Sequence, residues 1–250
     1  MGYKIINRKI DYQADHIIKK LGDFLLSDKK FLNIFTKIII DEKRNLTEKH
    51  IKKLIQRYVD AMVVSEYDSE IFLKLCNDFL CYDIRGNLLE YIVQKLGPFK
   101  LEGENYDYTC RTVIFYNEKK ISDFDFDLVF FNKNFVEHIT KEYICIDKND
   151  GEFIECKTDI KTFISEEISE RSRKKLDFIK EVYNCFKQNS CSSFYIITFR
   201  REIAIFKNIL RKNNYGFINI IGGRELYDKI SLSQRSESKI STEINLKKYN

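Results

Sequence analysis

A chain of 250 residues, 44% hydrophobic and 32% charged, is long enough to bury a substantial core, either as one elaborated domain or as a core domain with a smaller companion. Its longest apolar runs are only a few residues, far below the roughly 20 needed to cross a bilayer, and its start, Met1-Gly-Tyr-Lys-Ile-Ile-Asn-Arg8, lacks the apolar run of a secretory signal. A cytoplasmic protein with no membrane partner is expected, and a net charge of +5 permits contact with phosphates without demanding it.

Residues 1–82 read as helical, a candidate interface or regulatory region. Ile17, Ile18, Leu21, Phe24 and Leu25 recur at helical spacing; Thr47 and Glu48 open a second amphipathic run through Ile51, Leu54, Ile55, Tyr58 and Val59; and Ile71, Phe72, Leu75, Phe79 and Leu80 suggest a third. No Gly/Pro/Ser-rich linker follows, so the boundary near residue 82 rests on the change of pattern alone. Residues 83–230 form the second region. It begins with a helix, Asn87 to Leu96, closed by Gly97-Pro98. Tyr108 to Tyr116 and Ile121 to Phe131 are β-runs joined by Asn117-Glu-Lys-Lys120, which predicts an antiparallel hairpin. Tyr143 to Ile146 and Glu152 to Thr158, around Asp147-Lys-Asn-Asp-Gly151, predict another. A long helix follows over Thr162 to Gln188, then a buried strand Ser193 to Phe199, a helix Glu202 to Lys212, a strand Phe217 to Ile221 and a short helix Gly223 to Ile230. Residues 231–250 are a polar tail. This order predicts an α/β fold with a central mixed sheet flanked by helices.

The seven cysteines, Cys76, Cys81, Cys110, Cys145, Cys156, Cys185 and Cys191, form no CxxC pair and are odd in number, so reduced core thiols are expected rather than zinc ligands or disulfides.

The chemistry lies in the acidic strands. In Glu155-Cys156-Lys157 the period of two puts Glu155 and Lys157 on one face and Ile154 and Cys156 on the other. The run Asp123-Phe-Asp-Phe-Asp127-Leu-Val-Phe-Phe131 sorts Asp123, Asp125 and Asp127 from Phe124, Phe126 and Leu128 in the same way. Asp127 stands where acidic alternation meets a continuous apolar run, and Asp125 is the alternative register. Two carboxylates brought to about 4 Å repel by roughly 4 kcal/mol at an effective dielectric near 20, so the pair needs a proton, a cation or a lysine. Hard oxygen donors suit magnesium or manganese.

These residues and the order of the flanking elements resemble the PD-(D/E)XK, or restriction-endonuclease-like, nuclease superfamily. Its core is an α-β-β-β-α-β unit with an acid in the second strand and Glu-x-Lys in the third. The resemblance covers about Asp83 to Ile230, and Arg85-Gly-Asn-Leu-Leu-Glu90-Tyr91 matches the glutamate that many members carry on the first helix. No proline precedes the aspartate here; Phe126 stands in its place. The resemblance implies that Asp127, Glu155 and the backbone carbonyl of Cys156 bind Mg2+ or Mn2+, that Lys157 positions and helps deprotonate water, and that Glu90 supports the ion through water or binds a second one. It implies an endonuclease cutting phosphodiester bonds, in double-stranded DNA by analogy, as a restriction or anti-phage defence enzyme acting as a homodimer or larger homo-oligomer. Arg171, Arg173, Lys174 and Lys175 are candidate phosphate contacts, as are Arg200 and Arg201.

The rival expectations are a ribonuclease or nucleotide-activated nuclease, and a non-catalytic nucleic-acid-binding or assembly module. Arg44 and His50 loosely fit the Arg-x4-6-His pattern of metal-independent HEPN ribonucleases, but Thr47 between them reads as a helix cap, which separates their faces.

Overall fold

The structure is a computed structural model that describes residues 2–10, 16–41, 47–80, 85–101, 105–148, 150–187 and 192–230. The proposed boundary at residues 82–83, the 231–250 tail, Arg44, Cys81 and Cys191 lie outside them. The described chain is mixed α/β, with eight α-helices and two five-stranded sheets. No described helix is long and apolar enough to cross a membrane.

The chain opens with strand β1 (Tyr3–Ile6), which corrects the wholly helical expectation for its first third. Tyr3 and Ile5 are buried and alternate with the partly exposed Lys4 and Ile6, a short period-two pattern. Five helices follow: α1 (His16–Ser27), α2 (Lys29–Asp41), α3 (Glu48–Asp60), α4 (Glu66–Leu80) and α5 (Arg85–Leu96). Helix α2 was not anticipated, although Phe31, Leu32, Phe35, Ile38 and Ile39 are buried at helical spacing. Thr47 does cap α3, accepting from the backbone N of His50 at 3.4 Å.

The first sheet takes strands β2 (Tyr106–Thr112), β5 (Phe126–Asn132), β8 (Glu152–Cys156), β9 (Ser193–Ile197) and β10 (Ile218–Ile221), in the order β10-β9-β8-β5-β2. The pairs β2/β5 and β5/β8 are antiparallel; β8/β9 and β9/β10 are parallel. The second sheet orders β3 (Ile114–Tyr116), β4 (Lys119–Lys120), β1, β6 (Val136–Ile139) and β7 (Tyr143–Ile146) as β4-β3-β1-β7-β6, all antiparallel. Helices α6 (Glu170–Phe186), α7 (Ala204–Lys212) and α8 (223–230) complete the fold.

Both expected hairpins are redistributed between the sheets. The run Tyr108 to Tyr116 breaks at Val113, just after Arg111, whose φ of 45° lies in the left-handed region. Its residues up to Thr112 pair with β5, and those from Ile114 pair with β1 and β4. The tight turn at Asn117 and Glu118, both with positive φ, therefore joins only β3 to β4. Strands β7 and β8 do not pair with each other. All five residues of β8 are buried, which suits a central strand covered on both faces, whereas β7 buries only Ile144 and Ile146 and suits an outer sheet. The helix expected from Thr162 starts at Glu170 instead. Asp159 caps a single 3-10 turn, Ile160–Thr162, and Ser169 then caps α6 by accepting from the N of Ser172.

Alternate residues of the first sheet feed two cores. Leu128, Phe130, Ile154, Cys156, Tyr195 and Ile197 pack with α1 to α5. Val129, Phe131, Phe153, Phe194 and Ile196 pack with α6, α7 and the inner face of the second sheet. Glu152, 1% exposed, ties the layers at one end of β8 by accepting from the backbone N of Phe99 at 2.7 Å, of Leu101 at 2.6 Å and of Lys100. The described cysteines, Cys76, Cys110, Cys145, Cys156 and Cys185, are free thiols.

Candidate active site

At the opposite end of β8 from Glu152, two acids meet across neighbouring strands. The β5/β8 register pairs Phe130 with Glu152, Val129 with Phe153 and Leu128 with Ile154; Asp127 comes just before the paired residues of β5 and Glu155 just after those of β8. Both acids line the same cavity. Glu155 is 2% exposed, and Asp127 keeps some solvent contact. Asp127 Oδ2 accepts from the backbone N of Cys156 at 2.6 Å, which fixes its carboxylate against β8.

Two lysines answer the two acids. Lys157 Nζ bonds Glu155 Oε1 and reaches the Cys156 carbonyl at 3.3 Å. Lys175, from α6, sets its Nζ 2.8 Å from Glu155 Oε2, an ion pair whose angle makes no hydrogen bond, so this buried oxygen has none. Its firm hydrogen bond goes to the backbone carbonyl of Asp125, and Asp125 Oδ1 lies 3.6 Å away. Together with Phe124, Thr162, Phe163, Ser169, Arg171 and Ser172, these groups line an open cavity of about 420 Å³.

The electrostatics follow from burial and like charge. Desolvation first, then the Glu155 charge, pushes the Asp127 carboxyl up to about 8, with Glu90 adding to the effect and Lys157 opposing it. Burial works to lower the Lys157 ammonium, but the charges of Glu155 and Asp127 outweigh it and leave its pKa above the ordinary value. A carboxyl raised to about 8 holds its proton near neutral pH, so a cation at the pair would compete with that proton.

The structure gathers Asp127, Glu155 and Lys157 in one cavity, with the Cys156 carbonyl beside them. Asp125 lines the same cavity as the partner of Lys175, whereas Asp123 is exposed and pairs with Lys120. Glu90 is buried, 7% exposed, and its charge reaches Asp127, but it does not line the cavity. Of the predicted phosphate contacts, Arg171, Arg173 and Lys174 are exposed, and Lys174 pairs with Glu170 at 2.7 Å. Lys175 instead turns inward, so its assignment to that outer surface is corrected. Arg200 is held by Asp159 through Nε at 2.8 Å and Nη2 at 3.2 Å.

A divalent ion finds two carboxylates and one carbonyl here. Among the described residues no group of three His, Cys, Asp or Glu side chains is arranged to hold a metal. Magnesium commonly takes only one or two carboxylates and keeps several waters, so the donor set fits, with Glu155 Oε2 ion-paired to Lys175. A larger cavity of about 610 Å³ lies between α3 and α4, but its Glu48, Lys52, Glu66, Glu70, Lys74 and Asp78 are solvent-exposed and no buried acid lines it. Neither the protein-family models nor the curated proteins contain a match to this sequence.

Proposed function

We propose that this chain is a magnesium-dependent phosphodiester hydrolase, an endodeoxyribonuclease with a restriction-endonuclease-like core. The observation that carries the proposal is that Asp127 of β5 and Glu155 of β8, with Lys157 on Glu155, line one open cavity. The element order α5-β2-β5-β8-α6-β9, with β8 parallel to β9, supports the α-β-β-β-α-β assignment.

In this proposal Asp127 and Glu155 hold the ion, with the Cys156 carbonyl as a third oxygen. Mg2+ there supplies charge neutralisation at the scissile phosphate and acidifies water; Mn2+ can substitute. Lys157, a protonated ammonium held by Glu155, would orient the attacking water and offset negative charge building at the phosphate, with the water's proton passing to solvent. Glu90 acts at a distance, by deepening the negative potential at Asp127. Arg171, at the mouth of the cavity, and the exposed Arg173 and Lys174 meet neighbouring phosphates. DNA as the substrate, and a restriction or anti-phage role, come from the family resemblance. A single site of this kind cuts one strand, so double-strand cleavage requires a homodimer or larger assembly, for which the helices of residues 1–82 are the proposed interface.

The test is cleavage of supercoiled plasmid and of structured RNA with Mg2+ or with EDTA, comparing the native chain with Asp127→Ala and Lys157→Ala. Nicking of plasmid that needs Mg2+ and is lost in both variants is expected. Cutting of RNA alone transfers the site to a ribonuclease. Full cutting in EDTA removes the metal mechanism, and binding without any cutting in Mg2+ or Mn2+ supports a non-catalytic nucleic-acid module.

A further inference from the structure

Lys157 and Lys175 contact the same carboxylate from different parts of the fold. Lys157 follows Glu155 on its own strand, so its position is set by β8 itself. Lys175 arrives from α6, and its side chain is 11% exposed. Its contact with Glu155 Oε2, at 2.8 Å, is one of charge without a hydrogen bond. Its hydrogen bond is made elsewhere, to the Asp125 carbonyl, with the Asp125 carboxylate close by. The ammonium therefore keeps acceptors of its own if Glu155 Oε2 turns to another cation. Lys175 also sits over the rings of Phe124 and Phe178, at 5.8 and 5.7 Å, which help hold it when that partner is lost.

On the metal-hydrolase proposal, we propose that Lys175 is a built-in counter-cation that competes with the divalent ion for Glu155 and so sets the affinity of the site. With Asp127 and Glu155 ionised, Lys157 and Lys175 already balance the cluster. An entering dication must displace Lys175 from Oε2 or bind against its repulsion. Lys157 cannot yield in the same way, because its strand position keeps it beside Oε1. The pairing thus keeps the buried glutamate satisfied while no ion is present, at the expense of weaker ion binding. The substitution of interest removes the charge and keeps the stem that packs against the two rings.

The experiment is Mn2+ binding to the full chain at fixed pH, followed by the spin-resonance signal of the free ion and by the ion-induced rise in melting temperature. Lys175→Met and Lys175→Gln should bind Mn2+ about tenfold tighter or more than the native chain, given the strength of charge repulsion at a few ångströms. Lys175→Arg, which keeps the charge, should stay near the native affinity. A lysine that served only to hold the fold would leave affinity unchanged or weaken it in all the variants. The two uncharged substitutions differ in polarity, so a folding defect in one leaves the other to decide. Native binding with no tightening in the uncharged variants overturns the role of Lys175 and leaves the metal site standing. No binding in any of the four proteins overturns both.

Discussion

Asp127 of β5 is pinned by the backbone N of Cys156, the residue next to Glu155 on β8, while Lys157 and Lys175 hold Glu155 itself. Two acids on adjacent central strands are costly to a fold unless charge is returned to them. Here it returns from two directions, along the strand and from the helix layer. The same relationship makes the cluster a point of high structural sensitivity and a receptive place for a cation.

Removing Glu155 should therefore destabilise the protein, because two ammonium groups are left without their shared anion. For Glu155→Ala a loss of about 3 kcal/mol in urea unfolding is expected, within the range for breaking a buried pair. Adding Lys175→Met should restore part of it, with a coupling of about 1 kcal/mol or more in the double-mutant cycle. Strictly additive losses would show that Lys175 and Glu155 are independent.

Glu152 tests the other end of β8. Glu152→Ala orphans three part-buried backbone N–H groups at residues 99–101, which bond a side chain that is 1% exposed. A loss of about 3 kcal/mol is expected, since each unsatisfied buried donor costs about 1–3 kcal/mol and water entering the gap recovers some of this. Because Glu152 lies at the far end of the strand from the acidic pair, Mn2+ affinity of the folded variant should match the native value. Equilibrium unfolding and the same Mn2+ titration measure the two quantities separately.

The sequence showed the acidic face because it obeys a local rule. The period of two in a strand fixes Glu155 and Lys157 together, and the change from acidic alternation to an apolar run singles out Asp127. The assignment of strands to sheets was not legible in the same way. A break at one residue, Val113, divides a continuous β-run between two sheets, and nothing local says that β7 pairs with a strand at the very start of the chain. Lys175 was hidden for a related reason. Its row of basic neighbours reads as a solvated face, and only the true start of α6 at the Ser169 cap, with the rotation of that helix over the sheet, turns it inward. Helix α2 is different: its spacing is plain in the sequence and called for no tertiary information.

Gly22 of α1 lies against Tyr91 of α5. A Cβ there would lie 2.5 Å from Tyr91 Cδ1 and 2.6 Å from its Cε1, and the ring is 1% exposed with its hydroxyl donating to Asp23 at 2.5 Å. Replacing glycine by alanine in an open helix gains up to about 1 kcal/mol. Forcing a methyl group into this packed contact costs about 1–3 kcal/mol, so Gly22→Ala should be net destabilising. Thermal and urea melts of the variant decide the sign, and a more stable protein would show that Tyr91 can move aside without loss.

The pH dependence of stability should report the acidic pair directly. Asp127 has its carboxyl raised to about 8 by burial and by Glu155, above its unfolded value, so the protonated form favours the folded state. That contribution is complete at pH below the unfolded carboxyl pKa of about 4 and is lost as pH rises through about 8. In EDTA the melting temperature should therefore fall between about pH 4 and about pH 8, and Asp127→Asn, which has no proton to lose, should flatten this part of the profile. A divalent ion acts with the opposite sign, because it binds the ionised pair and so competes with the proton. The rise in melting temperature caused by Mg2+ should accordingly grow over the same pH interval in the native chain and be absent in Asp127→Asn. A native profile that runs parallel to that of the variant, with and without Mg2+, would place the titrating group elsewhere and remove Asp127 from the ion's coordination.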